Sequence, residues 1–255
     1  MSTEQTIQAL WQLQQRGDVF PQAWRGKLDL NEAYRVQLGL LDRKVARGER
    51  QAGWKVGLTA PVMREMFGGT EPVFGYLLES GNIASGHRFR FTQLRTPLVE
   101  SELLITLAQD LSGPDATADD ALRAVATVAP ALEIVEMRGA DMRVDMPLAI
   151  TDNVAQRAFV HGAAIVFSPT LDFGKIRAEV RINGQSRVTA LGREAIDNQL
   201  QTLAWLANAL HRHERRLQAG QCIMTGSFTK PLPVSAGDAF ETEFSGVGSV
   251  EASFV

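Results

Sequence analysis

A single cysteine in 255 residues excludes an internal disulfide and suits a reducing compartment. It lies in the apolar run Cys222-Ile223-Met224, which reads as a buried strand, so its thiol is core material rather than a nucleophile. A basic excess is also lacking. Lys and Arg number 26 against 29 Asp and Glu, a formal net charge of -3, which leaves no electrostatic pull toward nucleic acid or an anionic membrane. The one dense basic stretch, His211 to Arg216, ends a helical pattern, where cations complement the helix dipole. No apolar run approaches the ~20 residues that span a bilayer. Met1 to Gln5 lack the basic start and apolar core of a signal peptide. The expectation is a cytoplasmic chain with neither a membrane nor a nucleic-acid partner. Dinucleotide, P-loop and nucleophile-elbow fingerprints are missing, as are the His- and Cys-rich spacings of zinc sites. What the chain does have is 45% apolar residues, enough to bury a core in one large domain or one domain with a small appendage.

Ile7, Leu10, Trp11 and Leu13 recur at helical spacing, and a second helix is predicted from Asn31 as cap through Val36, Leu40 and Val45 to Gly48. Residues 1–50 therefore read as an N-terminal helical appendage and 51–255 as the main domain. Short strands are predicted at 53–59, 73–78, 98–107, 131–135 and 158–167, with a hairpin over 179–190 turning at Asn183-Gly184. Thr117 caps a helix that Pro130 is expected to stop. Residues 194–213 are predicted to form the longest helix, with Ile196, Leu200, Leu203, Leu206 and Leu210 facing the core. Strands outnumber helices without alternating with them, which predicts an α+β fold with mixed or antiparallel sheets.

The chemistry concentrates in Leu98-Val99-Glu100-Ser101-Glu102-Leu103-Leu104-Ile105. Alternate side chains of a strand share a face, so Glu100 and Glu102 point the same way within an apolar run. Two such charges repel, and burying them unpaired costs several kcal/mol. Either the face is solvated or something positive compensates, and a hard dication with oxygen ligands would do so. Glu133 interrupts a second buried-looking run, Pro130 to Val135. Three carboxylates of this kind suit Mg²⁺ or Mn²⁺.

Lys55, within Gly53-Trp54-Lys55-Val56-Gly57, is unusual for a solvated surface. Desolvation lowers a lysine's pKa, which suits it to act as acid, base or anion anchor, unless it merely snorkels. Gly226 to Pro231 leaves a buried strand through small and hydroxyl residues, Ser227 and Thr229 among them, which let backbone amides approach an oxyanion. His161 reads as a hydrogen-bonded core histidine.

Taken together, Gly53–Thr59, Glu71–Leu78, Pro97–Leu103, Pro130–Arg138, Thr151–Asn153, Ala204–Asn208 and Thr225–Asp238 resemble the hydratase/decarboxylase branch of the fumarylacetoacetate hydrolase superfamily, from about Asn31 to Val255. The resemblance implies that superfamily's mixed β-sheet roll with an N-terminal helical part. It implies Mg²⁺ or Mn²⁺ on Glu100, Glu102 and Glu133, Lys55 near the substrate, and Ser227, Thr229 and Lys230 along the substrate wall. The implied activity is that of a lyase on a small 2-oxo acid. Hydration of a 2-hydroxy-2,4-dienoate or 2-oxo-4-enoate stands first, and decarboxylation of the 4-oxalocrotonate type second. A homo-oligomer is implied, with a decarboxylase or hydratase as a further partner; a weakly active partner subunit is the alternative of another class. Three departures bear on the reaction. Val73 stands where hydratases of the branch carry an aspartate implicated in water addition. Asp197-Asn198-Gln199 replaces a Gly-His-Pro, and Glu136-Met137-Arg138 replaces an Asp-Ser-Arg.

Overall fold

The computed structural model of the protein describes residues 2–18, 20, 22–196 and 198–255. The chain opens on α1 (Thr3–Arg16) and α2 (Leu30–Ala46), then β1 (Gln51–Gly57), α3 (Pro61–Met66), β2 (Val73–Leu78), β3 (Asn82–Ala84) and β4 (His87–Phe89). The long strands β5 (Pro97–Leu107) and β6 (Val125–Glu136) flank α4 (Ala118–Ala124). Next come α5 (Met146–Thr151), β7 (Gln156–His161), β8 (Ile165–Val166), β9 (Arg177–Ile182) and β10 (Gln185–Leu191). The last part holds α6 (Gly192–Ala195), α7 (Gln199–His211), β11 (Cys222–Ser227), β12 (Leu232–Pro233), β13 (Ala239–Phe244) and β14 (Gly248–Phe254).

Among the described residues the strands form two sheets. One runs β2-β1-β11-β5-β6-β7-β3, with β12 beside β5 and β8 beside β6; the other runs β10-β9-β13-β14-β4. The pairs β1–β11, β3–β7 and β4–β14 are parallel and the rest antiparallel. This is the mixed α+β architecture expected. Apolar side chains of both sheets and of α7 share one core that includes Trp54, Leu103, Ile105, Phe240, Phe254, Leu203 and Leu210. Burying each such side chain contributes roughly 1.5–3 kcal/mol. A second cluster joins α1 and α2 to α5 through Ile7, Leu10, Trp11, Val36, Leu40 and Leu148. From α2, Leu38 and Leu41 enter the main core, and buried Gln37 donates to Phe74 O at 3.0 Å and Ile150 O at 2.9 Å.

Four local expectations are corrected. The cap of α2 is Asp29, not Asn31: its carboxylate accepts from Glu32 N at 2.7 Å, and the helix starts at Leu30. Thr117 does cap α4, but that helix ends at Ala124, and Pro130 lies inside β6 rather than stopping a helix. Pro130 O accepts from Gly162 N at 2.9 Å, so the missing N–H also faces the β7 side. There β7 has ended opposite Ala131 and β8 begins only opposite Val128, so no ladder bond is lost. The strand predicted over 158–167 breaks for the same reason. A Cβ on Gly162 would lie 2.9 Å from Pro130 Cγ and 2.3 Å from Ser249 O, an approach only glycine permits. The helix predicted over 194–213 is two helices. Ile196 is extended and buried between them, and Asn198 restarts the helix by accepting from Leu200 N and Gln201 N. Of the 197–199 departure, Asp197 lies outside the described residues.

Candidate active site

Four neighbouring strands, β1, β11, β5 and β6, bring the site together. The β5–β6 register sets Glu100 directly opposite Glu133, and Glu102 shares the face of Glu100 by the period of the pleat. One carboxylate oxygen from each of the three lies within 4.8 Å of the other two. On β11 a bulge between Met224 and Ser227 turns the Gly226 N–H onto Glu102 Oε2 at 2.9 Å. Gly226 has φ +102° and packs so close to Thr59 that a Cβ would meet its Oγ1 at 2.3 Å. Lys55, on β1, ion-pairs through Nζ with Glu133 Oε1 at 2.8 Å and donates to Val154 O at 3.3 Å.

That carbonyl is presented by an unusual turn. Asn153, Val154 and Ala155 all have positive φ, at 54°, 52° and 61°. Left-handed backbone costs an L-residue roughly 1–2 kcal/mol, and β-branched Val154 is a genuine outlier there. The surroundings hold the turn in place. Asn153 accepts from Tyr76 N at 2.8 Å and donates to Tyr76 O at 2.9 Å. Arg138 donates to Asp152 Oδ1 (2.9 Å), Asp152 O (2.9 Å) and Gln156 O (3.2 Å).

Glu102, Glu133 and Lys55 are buried, and their charges set one another's titration. Burial, with the charges of Glu133 and Glu100, holds the Glu102 carboxyl well above the usual carboxylate range. Burial pushes Glu133 up to about 7, against the pull of Lys55. For Lys55, burial alone would lower the pKa as the sequence suggested. The facing carboxylates of Glu133, Glu100 and Glu102 outweigh it, and the ammonium is held above its ordinary value. Lys55 is therefore a charged donor and not a free base. With all three carboxylates ionised, as metal ligation requires, and one ammonium beside them, this largely buried corner carries a formal charge of -2, and Glu133 Oε2 has no hydrogen-bond partner among the described residues. An oxygen-only donor set with that deficit fits a hard divalent cation and lacks the nitrogen and sulfur ligands zinc prefers.

The cluster opens into a cavity of about 290 Å³. Lys55, Glu100 and Glu102 line it, as do Ser227, Thr229 and Lys230, so the structure brings these sequence-predicted residues onto one space. Glu133 sits behind them, fully buried beneath the Lys55 ammonium. Ser227 Oγ donates to Ser101 O at 3.4 Å and accepts from Thr229 N at 3.3 Å. Thr229 Oγ1 is buried without a partner among the described residues, and Lys230 is exposed at the rim. The remaining wall is largely apolar, with Met63, Phe67, Met137, Met142 and Phe228. His161 holds Gly162 O at 3.0 Å through Nδ1 and lies outside the cavity lining. Sequence reasoning missed the Val154 carbonyl and its supports. The Thr151-Asp152-Asn153 motif pointed to the place, but no glycine announces the left-handed turn.

Residues 66–255 match the model of the fumarylacetoacetate (FAA) hydrolase C-terminal family. The chain is 31% identical to a 2-keto-4-pentenoate hydratase of Paraburkholderia xenovorans (strain LB400), covering 98% of this chain and 94% of that protein. It is 32% identical to the 2-oxo-hept-4-ene-1,7-dioate hydratase of Escherichia coli over 90% of this chain and 88% of that one. Among solved structures, 4-oxalocrotonate decarboxylase from Pseudomonas putida G7, complexed with magnesium and adipate, superposes with a TM-score of 0.93 at 26% identity. That match covers 100% of this chain and 99% of the decarboxylase. On the strength of this fold, this carboxylate arrangement and these matches, the chain belongs to the fumarylacetoacetate hydrolase family.

Proposed function

We propose that the protein is a metal-dependent lyase of aromatic-type catabolism acting on a small 2-oxo acid, with hydration of a 2-hydroxy-2,4-dienoate or 2-oxo-4-enoate as its reaction. The observation that carries the reading is the convergence of Glu100, Glu102 and Glu133 with Lys55 at the end of an apolar cavity. Glu100, Glu102 and Glu133 would hold Mg²⁺ or Mn²⁺. A divalent ion there supplies a Lewis acid that polarises a 2-oxo acid's oxygens. Lys55 has three N–H donors; it donates to the Val154 carbonyl and is ion-paired with Glu133. A remaining N–H would hold a substrate oxygen and lend a proton there. The methionine and phenylalanine wall keeps bulk water away from the carbon chain, which strengthens the charge interactions inside while leaving room for a single reacting water. Thr229 Oγ1 and the Lys230 ammonium, on the lining of the same cavity, would meet a polar far end of the substrate.

A second reading, decarboxylation of the 4-oxalocrotonate type, is favoured by Val73. It is buried on β2 opposite Gly57 and offers no acid for water addition. The two separate by product: 2-hydroxypenta-2,4-dienoate yielding a 4-hydroxy-2-oxo acid marks the hydratase, and CO₂ from 4-oxalocrotonate marks the decarboxylase. Both expect Glu102→Gln to abolish turnover while circular dichroism stays native; full activity in the presence of a chelator would exclude both. We also propose a homo-oligomer, able to associate with a hydratase or decarboxylase of the same branch, in a cytoplasmic setting. Light scattering of the purified protein that gives the 27.9 kDa monomer mass would contradict the assembly.

A further inference from the structure

We propose that Arg138 is a positioning residue for Lys55, acting through the left-handed turn at 153–155. The inference rests on the reading that Lys55 serves the substrate. Arg138 follows β6, and its guanidinium donates to Asp152 O and Gln156 O, the carbonyls on either side of the three strained residues, as well as to the Asp152 carboxylate. One fork thus closes both ends of a turn whose middle carbonyl, Val154 O, receives the Lys55 ammonium. Left-handed backbone relaxes unless its surroundings over-determine it. With the fork removed, the two Asn153–Tyr76 hydrogen bonds still hold the start of the turn but its far end is released, so that Val154 O can rotate away and Glu133 is left as the fixed partner of Lys55 among the described residues.

The turn is also a partition. Val154 and Ala155 line the catalytic cavity. Asp152, Asn153 and Arg138 line a separate polar cavity of about 500 Å³. Arg138 therefore does not reach substrate, and any effect of replacing it on the chemical step travels through the turn. Lysine at this position keeps the charge but cannot span three acceptors with a planar fork.

The test uses the Mg²⁺-loaded protein and Arg138→Lys. A displaced ammonium is expected to lower kcat by about 10–100-fold, leave KM within about threefold and leave Mg²⁺ affinity unchanged. In ¹⁵N-lysine protein, the Lys55 ammonium resonance, assigned by its loss in Lys55→Arg, is expected to exchange with solvent about tenfold faster in Arg138→Lys. Unchanged Lys55 exchange overturns the proposal, and so does a kcat loss accompanied by an equal loss of Mg²⁺ affinity. If the wild-type protein turns over no 2-oxo acid, the reaction reading fails, while the exchange measurement still decides the role of Arg138. If Arg138→Lys does not fold, Asp152→Asn takes its place in the same measurements, with the same outcomes for and against.

Discussion

A methyl group added at Gly75 would sit 2.7 Å from Asn153 Oδ1 and 3.2 Å from Lys55 Cγ. Both contacts involve groups with little room to yield, because Asn153 is bonded to Tyr76 on two sides. Gly75→Ala is expected to cost about 1–3 kcal/mol of stability by overpacking and to cut turnover more than it weakens binding. A variant with wild-type kcat would show that Asn153 moves aside freely. Asp152 offers a test by pH. Burial raises its pKa from 3.8 to about 6, against the charge and hydrogen bond of Arg138. The folded state thus binds this proton more tightly than the unfolded state. Its stabilising contribution is complete below about pH 4 and is lost as pH rises through about 6. Urea titrations from pH 4 to pH 7 are expected to show wild type losing ground to Asp152→Asn by on the order of 2–3 kcal/mol; parallel curves would refute the assignment. At this scale the glutamates were legible because a charge inside an apolar strand breaks its own pattern. The turn was not, since Asn153 alone is of a type enriched at positive φ, and Val154 and Ala155 give no sign of it. Nor was the direction of the Lys55 shift, which depends on three carboxylates supplied by two other strands.

Among the elements, α1 matters less for the core than for what it braces. Its apolar face closes on α2 and, through Leu148, on α5, the helix that runs into the left-handed turn. We propose the division at residue 50 as a functional one: residues 51–255 carry every named site residue, while α1 steadies them from outside and α2 joins the main core through Leu38 and Leu41. Removing residues 1–16 is then expected to leave far-ultraviolet sheet signal and Mg²⁺ binding in place while turnover falls about tenfold or more. Unaltered turnover in the truncated protein would end the bracing role. Helices with a clear apolar stripe and strands with β-branched runs were readable from the sequence. The interruptions were harder. Pro130 reads locally as a helix stop, yet it is accommodated in β6 because the neighbouring strand has a gap at that point. Ile196 fits the helical period but is drawn into the core as an extended residue by the restart at Asn198.

For the molecule as a whole, the sequence conveyed the architecture better than the topology. An excess of strands over helices, without alternation, already implied mixed sheets. Which strands neighbour one another depends on long-range pairing, and placing β11 between β1 and β5 is what brings Lys55 and Gly226 beside the glutamates. Because β5 and β6 contribute the acidic oxygens jointly, an ion seated among them laces two chain segments that separate on unfolding. Such an ion would make the magnesium content of the surroundings a determinant of how long the protein survives. Thermal scans over rising Mg²⁺ are expected to show a climbing midpoint, with about 1.4 kcal/mol gained per tenfold once the site is saturated. A flat midpoint would mean that the folded protein does not bind Mg²⁺. A chelator added to this protein would then act as a mild denaturant as well as an inhibitor, and activity lost to it over hours would not all return with the metal.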